Sequence, residues 1–373
     1  MAAPQPDDSK PTARSTSKVT HLPTQAPGMR RVRNAPPRRA LPNDLLSRSE
    51  EEAARRLALK ALSAARSAEL RLDDRYDREA LHDFRVAVRR LRSVLRAYKV
   101  QLQDAVRGKD RRKLRTIQRA TGAGREAEVA LKWLTKQQAS LEPEHLAGLN
   151  WLSGTLLDRR RRCSEDLDAE VRASFRQTTA ELEERLAIMR TEHNLLAERP
   201  EHTFATCAAD LTEAHANDLM SILGQMATLE DNVRLHDGRI AGKRLRYLLE
   251  PLRPYMNEAQ KVVKRTKQLQ DVLGDLNDVH VLMNEIDVSL RDSMRQRSNR
   301  IRASLQAGDV VRAKREASMS EWAGLVELHS RLTDERRSLI AKLRDQWLAA
   351  DLESLVTHAR DLADRLRLLD RSN

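Results

Sequence analysis

The sequence predicts an all-α protein built as two four-helix bundles, the second a repeat of the first. Three observations predict it. Apolar residues recur at helical spacing over long stretches, and no stretch sustains the alternation of a strand. Breakers are few, with 12 Gly and 12 Pro in 373 residues, and eight of those prolines fall within residues 1–43. A twelve-residue segment also occurs twice, 154 positions apart, once as Leu81–Arg92 and once as Leu235–Arg246, with eight of the twelve positions identical. Two more positions differ only as Val/Ile or Arg/Lys, so the segment reads as an internal duplication.

The elements follow in order. Residues 1–43, rich in Pro, Ser, Thr, Arg and Lys, hold too little apolar content to offset chain entropy and are expected to be disordered. Helical spacing begins near Leu45 and runs to Arg71, where Asp73-Asp74 interrupts it. The first repeat lies on a helix from Asp77 to Gln103, and a third helix runs from Asp110 to Ala120. After the Gly122-Ala123-Gly124 break, helix resumes through Gln138. Pro143 opens a long fourth helix to about Leu196, and Glu198-Arg199-Pro200 separates the halves. The second half repeats the plan: a helix from Phe204 to about Asn232, the second repeat until Pro251 and Pro254, Asn257 to Glu285 or beyond, and Val311 to Ala350. Asp351–Leu369 reads as one further helix. The expected organisation is thus a tail over 1–43, a domain over 44–350 with halves 44–197 and 200–350, and a C-terminal helical extension over 351–373.

Wound at the helical period, each repeat separates into two stripes. Arg85, Arg89, Arg92 and Arg96 all lie within about 80° of His82, whereas Leu81, Phe84, Val88, Leu91 and Leu95 gather on the far side. The second copy sets His236, Arg239, Lys243 and Arg246 on one stripe and Leu235, Leu245 and Leu249 elsewhere. Arg90 and Arg244 point away from the rows and read as surface or ion-pair residues. A solvated helix face normally mixes signs, and these stripes hold no acid until Glu250, which stands where the first copy has Arg96. An ordered row of cations on one face, with a core on the other, points to an anion site. The correspondence continues at an offset of 152, pairing Gly122 with Gly274, Gln118 with Gln270 and Glu126 with Asp278. It also gives each half a second basic patch, Arg112 and Arg115 against Lys264 and Lys267.

Composition narrows the partner. A formal charge of +13, from 68 basic and 55 acidic residues, calls for a polyanion or an anionic surface. Aromatics are 3% of the chain, too few for base-stacking platforms, which disfavours nucleic acid. There is no membrane-spanning run and no apolar leader, and the two cysteines, Cys163 and Cys207, fit a reducing compartment. A cytoplasmic location follows. No Walker-type loop is present, and Glu126, Glu128, Asp275 and Asp278, beside so many cations, read as ion-pair formers before Mg²⁺ ligands. Neither a cofactor nor a metal is expected, and the chain is not expected to be an enzyme.

The pattern His-Asp-x-Arg-x-Ala-x-Arg/Lys-Arg-Leu-Arg, twice, each followed about 40 residues later by Gly-x-x-Arg/Asn-Glu/Asp, resembles the CHAD family, the conserved histidine α-helical domain. The resemblance covers about residues 45–350 and is closer in the second half, through Leu235–Glu250 and Leu273–Asp278. It implies two four-helix bundles related by pseudo-twofold symmetry, with basic helices facing each other across a groove that binds inorganic polyphosphate. Carried over, the binding residues are His82, Arg85, Arg89, Arg92 and Arg96 in one half and His236, Arg239, Lys243 and Arg246 in the other, with Arg112, Arg115, Lys264 and Lys267 as secondary candidates. Polyphosphate-containing granules are the associated cellular partner; a polyphosphate-processing enzyme and a nucleic-acid binder are the rival readings. The chain departs from the family at Thr121-Gly122-Ala123-Gly124, where a leucine and a tighter turn are usual.

Overall fold

A computed structural model describes residues 41–373 apart from 75, 78, 166–168, 195–201, 227–230, 319–320 and 372–373. The tail expected over 1–43 therefore lies, up to residue 40, outside the described residues. Every described element is helical, and among the described residues the one extended pairing is an isolated bridge between Ser49 and Thr203.

The first half contains α1 (Glu50–Leu70), α2 (Ala80–Ala97), α3 (Gly108–Ala120), α4 (Ala123–Gln138), α5 (Leu146–Glu165) and α6 (Ala169–Asn194). The second contains α7 (Phe204–Gly224), α8 (Asn232–Leu249), α9 (Asn257–Gln306), α10 (Val310–Ser318), α11 (Trp322–Lys342) and α12 (Leu352–Arg371). Local chemistry sets the ends. The Ser49 hydroxyl accepts from Glu52 N at 3.2 Å to cap α1, and Asp231 accepts from Val233 N and Arg234 N to cap α8. Pro251 and Pro254 lie beyond Leu249 and stop α8, as the sequence predicts. The Thr121-Gly122 step breaks α3 from α4: the Thr121 hydroxyl donates to the Gln118 carbonyl at 3.0 Å, giving the backbone a local alternative to the helix. At the corresponding place in the second half α9 runs unbroken through Gly274.

Two four-helix bundles result, one of α1, α2, α3 and α6, the other of α7, α8, the first part of α9 and α12. They share one apolar core. Phe84 meets Phe175 edge-on at 4.9 Å inside the first bundle, and Tyr98 packs against Phe204 of the second at 5.5 Å. The start of the domain is stitched to the second half by Phe204 N donating to Arg48 O and by the Tyr255 hydroxyl donating to Pro42 O. A second apolar cluster, from α4, α5, the later part of α9 and α11, extends the assembly at one end. There α5 and α11 cross at a glycine pair: a Cβ at Gly324 would collide with the His145 carbonyl oxygen, and one at Gly148 would sit 2.6 Å from the Gly324 carbonyl carbon.

The C-terminal helix differs from expectation. Instead of extending the domain from outside, α12 buries Leu355, Val356, Ala359, Leu362, Ala363 and Leu366 against α7 and α9 and is the fourth helix of the second bundle. Its apolar stripe requires a partner, and α7 supplies one across more than 100 positions of sequence. A π-helical segment, Leu343–Asp351, joins α11 to α12, buries Trp347 and brings Asp351 within 2.9 Å of Arg265.

Buried charge also fixes the first bundle. Asp110 is 1% exposed; it accepts from Arg185 at 2.6 Å and from its own helix start, Arg107 N, at 2.9 Å. Asp110→Ala leaves half-buried Arg185 with Glu181, 3.7 Å away, in place of its close carboxylate and uncaps α3, so we expect a loss of about 3 kcal/mol in chemical denaturation. A loss under about 1 kcal/mol would show that solvent reaches the pair.

Candidate anion-binding site

Helices α2 and α8 pack directly against each other, so the two basic stripes belong to one region. The apolar sides behave as their period requires: Phe84, Val88, Leu91 and Leu95 on α2 and Leu235, Leu245 and Leu249 on α8 are all buried. Two glycines let α8 approach its neighbours. A Cβ on Gly238 would stand 2.9 Å from Leu223 Cγ on α7, and one on Gly242 would stand 3.4 Å from Gln270 Cγ on α9. The first copy carries Phe84 and Val88 at these positions. The helix-propensity cost of about 1 kcal/mol is thus set against close packing on Leu223 at Gly238, whereas Gly242 makes only an ordinary contact with Gln270.

The rows converge at Lys243. Burial, and then the charges of Arg239, Arg89 and Arg246, hold its ammonium group down from 10.5 to about 7, with Asp278 opposing them weakly. Arg239 is likewise pushed down by burial, with Arg89 and Arg125 adding to the effect and Asp278 opposing it. Cations from both stripes therefore crowd a half-buried patch, with Asp278 and Glu250 as the acids facing it. Among the described residues, Nε of Arg89 and Nε2 of Gln270 are buried with no hydrogen-bond acceptor, and Nε of Arg246 has only the ion pair with Glu250, at 3.6 Å. Buried donors without acceptors are costly, and they mark where an anionic ligand would be stabilised.

A second group adjoins the first. Arg92 donates to Gln118 on α3 and is pushed down by burial, then by Arg115, Arg96 and Arg119. Arg115 and Arg112 are both exposed on α3, and Arg115 is the one whose charge reaches Arg92. The two histidines are exposed and bind the other half of the sequence motif: His82 Nδ1 lies 3.3 Å from Arg125, and His236 Nδ1 lies 3.4 Å from Asn277. They tie the start of each stripe helix to α4 and α9, so the motif's two parts, some 40 residues apart in sequence, meet in space. Asp83 holds an arginine, Arg71, as its position beside the stripe suggests.

Three expected residues stand elsewhere. Arg85 turns toward α4, 3.6 Å from Glu128, and lines a cavity of about 550 Å³ with Leu81, Asp158, Arg160 and Arg161. Lys264 lines a separate groove with Lys261, Gln268 and His358, between α9 and α12. Lys267 is exposed on α9. Helical phase places Arg85 with its row, and the packing of α4 redirects it; the repeat offset makes Lys264 and Lys267 a second patch, and the packing of α12 sets Lys264 in a groove of its own. Conversely, the site includes groups that the sequence reading leaves out. Arg125 had a signal, since it occupies the variable position of the motif. Arg244 carries one too, as an identity in the repeat, but its angle on the helix assigns it outward. His215 had none, being one residue of an apolar stripe, yet α7 brings it to Arg244 and Arg96.

Acids flank the rows without gathering as a metal site. Burial, together with Glu285 and Asp278, pushes the Glu126 carboxyl up, and burial with Asp278 and Asp271 does the same at Asp275. No group of three or more His, Cys, Asp or Glu able to hold a metal occurs among the described residues, and no described helix is long and apolar enough to cross a membrane.

The CHAD domain family model matches residues 44–287. In the solved structures, the chain is similar to the CHAD domain from the plant Ricinus communis, with 19% identity and a TM-score of 0.53 over 87% of this chain and 94% of that one. PptA from Streptomyces chartreusis matches with 14% identity and a TM-score of 0.44, over 89% of this chain and 99% of that one. No curated protein matches. The matched segment takes in both stripe helices and both motif partners, Arg125 and Asn277, and on that match the chain belongs to the CHAD domain family.

Proposed function

We propose that this protein binds inorganic polyphosphate, without transforming it, along the cationic patch where α2 meets α8. The observation that carries the reading is that Lys243, packed where α2 meets α8, has its ordinary charge suppressed by burial first and then by Arg239, Arg89 and Arg246. A cluster of this kind gains most from a ligand that supplies several negative charges at once. Inorganic polyphosphate offers regular charge and oxygen acceptors and no base edges. Arginine grips two phosphate oxygens with a fixed fork, and lysine adds a mobile point charge. The family membership supports the reading, and granules containing the polymer are its proposed cellular setting.

Calorimetric titration of the full chain with long-chain polyphosphate tests this. Affinity should fall steeply with salt, because each phosphate gripped releases a counterion. Long chains should bind far more tightly than ATP or pyrophosphate, since many contacts act together. Equal affinity for ATP, stronger competition from DNA or RNA, or release of orthophosphate would each overturn the reading. The pH dependence has a defined sign. An anion beside Lys243 restores its charged form, so the bound pKa lies above the free value of about 7. Binding then takes up a proton, and affinity should decline from about pH 7 to about pH 9. Lys243→Gln should flatten that decline; a decline of the same slope in the variant would assign it to another group.

A further inference from the structure

The two junctions flanking the α2–α8 contact are occupied unequally. At the repeat's offset of 154, Arg90 corresponds to Arg244 and Glu250 to Arg96. At the first junction Glu250 stands between two cations, 3.4 Å from Arg90 Nε and 3.6 Å from Arg246 Nε. The carboxylate crosses from α8 to α2 and neutralises that end of the row. At the other junction the corresponding positions hold two arginines. Arg244 Nε is buried with no acceptor among the described residues, and Nδ1 of His215, from α7, is buried without a hydrogen bond. Arg96 completes the group: burial, then Arg244, pushes its guanidinium down, and both arginines oppose protonation of His215. Asp218, the acid nearest His215 at 3.8 Å, is itself largely exposed. One junction therefore carries a carboxylate between its two cations. At the other, Arg96 (exposed), Arg244 and His215 are electrostatically coupled, with Asp218 3.8 Å from His215 Nδ1 and Arg244 Nε left without an acceptor.

We propose that Arg96, Arg244 and His215 form a phosphate subsite, and that Glu250 closes the corresponding position with a carboxylate of the protein's own. The cationic row then has an open end and a closed end. A phosphate polymer crossing Arg89, Arg239 and Lys243 continues past Arg96 and Arg244 and is turned away at Glu250. The ligand class is a tetrahedral oxyanion, either a phosphate within a polymer or orthophosphate itself. The polymer's path rests on the row being an anion site, whereas orthophosphate tests the subsite by itself.

Three double variants of the full chain separate these statements by calorimetry with long-chain polyphosphate. Arg96→Gln with Arg244→Gln should weaken binding about tenfold or more, less than for two enclosed contacts because Arg96 is exposed. Arg90→Gln with Glu250→Gln should bind at least as tightly as wild type. Arg337→Gln with Arg344→Gln removes the same charge as the first variant from exposed positions on and just after α11, and should change affinity by no more than about twofold. Equal losses in the first and third variants would reduce the effect to net charge and overturn the subsite. In the orthophosphate arm, the His215 ring resonances should shift in wild type and in the Arg90/Glu250 variant, and not in the Arg96/Arg244 variant. A shift that persists without the two arginines also overturns the subsite. If Arg89→Glu with Lys243→Glu binds polymer as wild type does, the row falls, and the orthophosphate arm still decides the subsite.

Discussion

Arg89→Glu with Lys243→Glu is expected to abolish polyphosphate binding, by about a hundredfold or more, while leaving the fold intact. Each substitution removes a cation from one stripe and puts a carboxylate where phosphate oxygens would lie. Two lost charge-assisted contacts, each contributing about 1.5–3 kcal/mol, already exceed that factor before repulsion is added. The fold should not suffer. In the free protein Lys243 is crowded by Arg239, Arg89 and Arg246, so the two glutamates would repel each other as Arg89 and Lys243 do now, while their contacts with Arg239 and Arg246 would become ion pairs. The variant should melt no lower than wild type and keep its helical circular dichroism. Arg337→Glu with Arg344→Glu is the matched-charge control, both being well exposed. Arg90 and Arg244 do not serve as that control, because Arg90 is paired with Glu250 and Arg244 lies beside Arg96. If the exposed pair weakens binding as much as the buried pair, the attraction is net charge and the patch is not a site.

Gly324→Ala is expected to give the largest loss of stability for a single added methyl. The new Cβ would fall on the His145 carbonyl oxygen and within 2.9 Å of Gly148 N and Cα, all backbone atoms that cannot move aside as a side chain would. Overpacking costs about 1–3 kcal/mol where neighbours can shift, and here the upper end or more is expected, about 3 kcal/mol. Gly154→Ala on α5 is the control: nothing lies within 4 Å of its Cβ, so helix propensity should give a gain of up to about 1 kcal/mol. Chemical denaturation of the two variants decides it. A neutral Gly324→Ala would mean that α5 and α11 separate readily, and that the second apolar cluster does not depend on their close crossing.

The stripe arithmetic illustrates what local sequence can carry. The division of Leu81–Arg96 into Phe84, Val88, Leu91 and Leu95 on one side and Arg89, Arg92 and Arg96 on the other needs only the helical period, and the buried set matches it. Pro251, Pro254 and the Gly122 break act on their own neighbours, so those helix ends were legible too, whereas the single helix expected from Pro143 to about Leu196 is two elements, α5 and α6, and that from Val311 to Ala350 is α10, α11 and the π-helical segment. The doubled motif supplied the family without any structure. These features depend on interactions within a few residues of each other, which is why a linear reading reaches them.

Contacts between helices are a different matter, because register and crossing angle depend on every side chain at the interface. The sequence by itself determined an all-α chain, its two basic stripes and the family they belong to. Only tertiary structure decided that Arg85 turns away to Glu128, that Lys264 faces α12, and that α12 completes a bundle. It also decided that Arg244, outward by its helical angle, meets Arg96 from the other helix, with His215 arriving from a third. The physical reason is that a helix's period fixes the direction of a side chain about its own axis, while the charge it meets there is set by how a neighbour, distant in sequence, is docked by its apolar face.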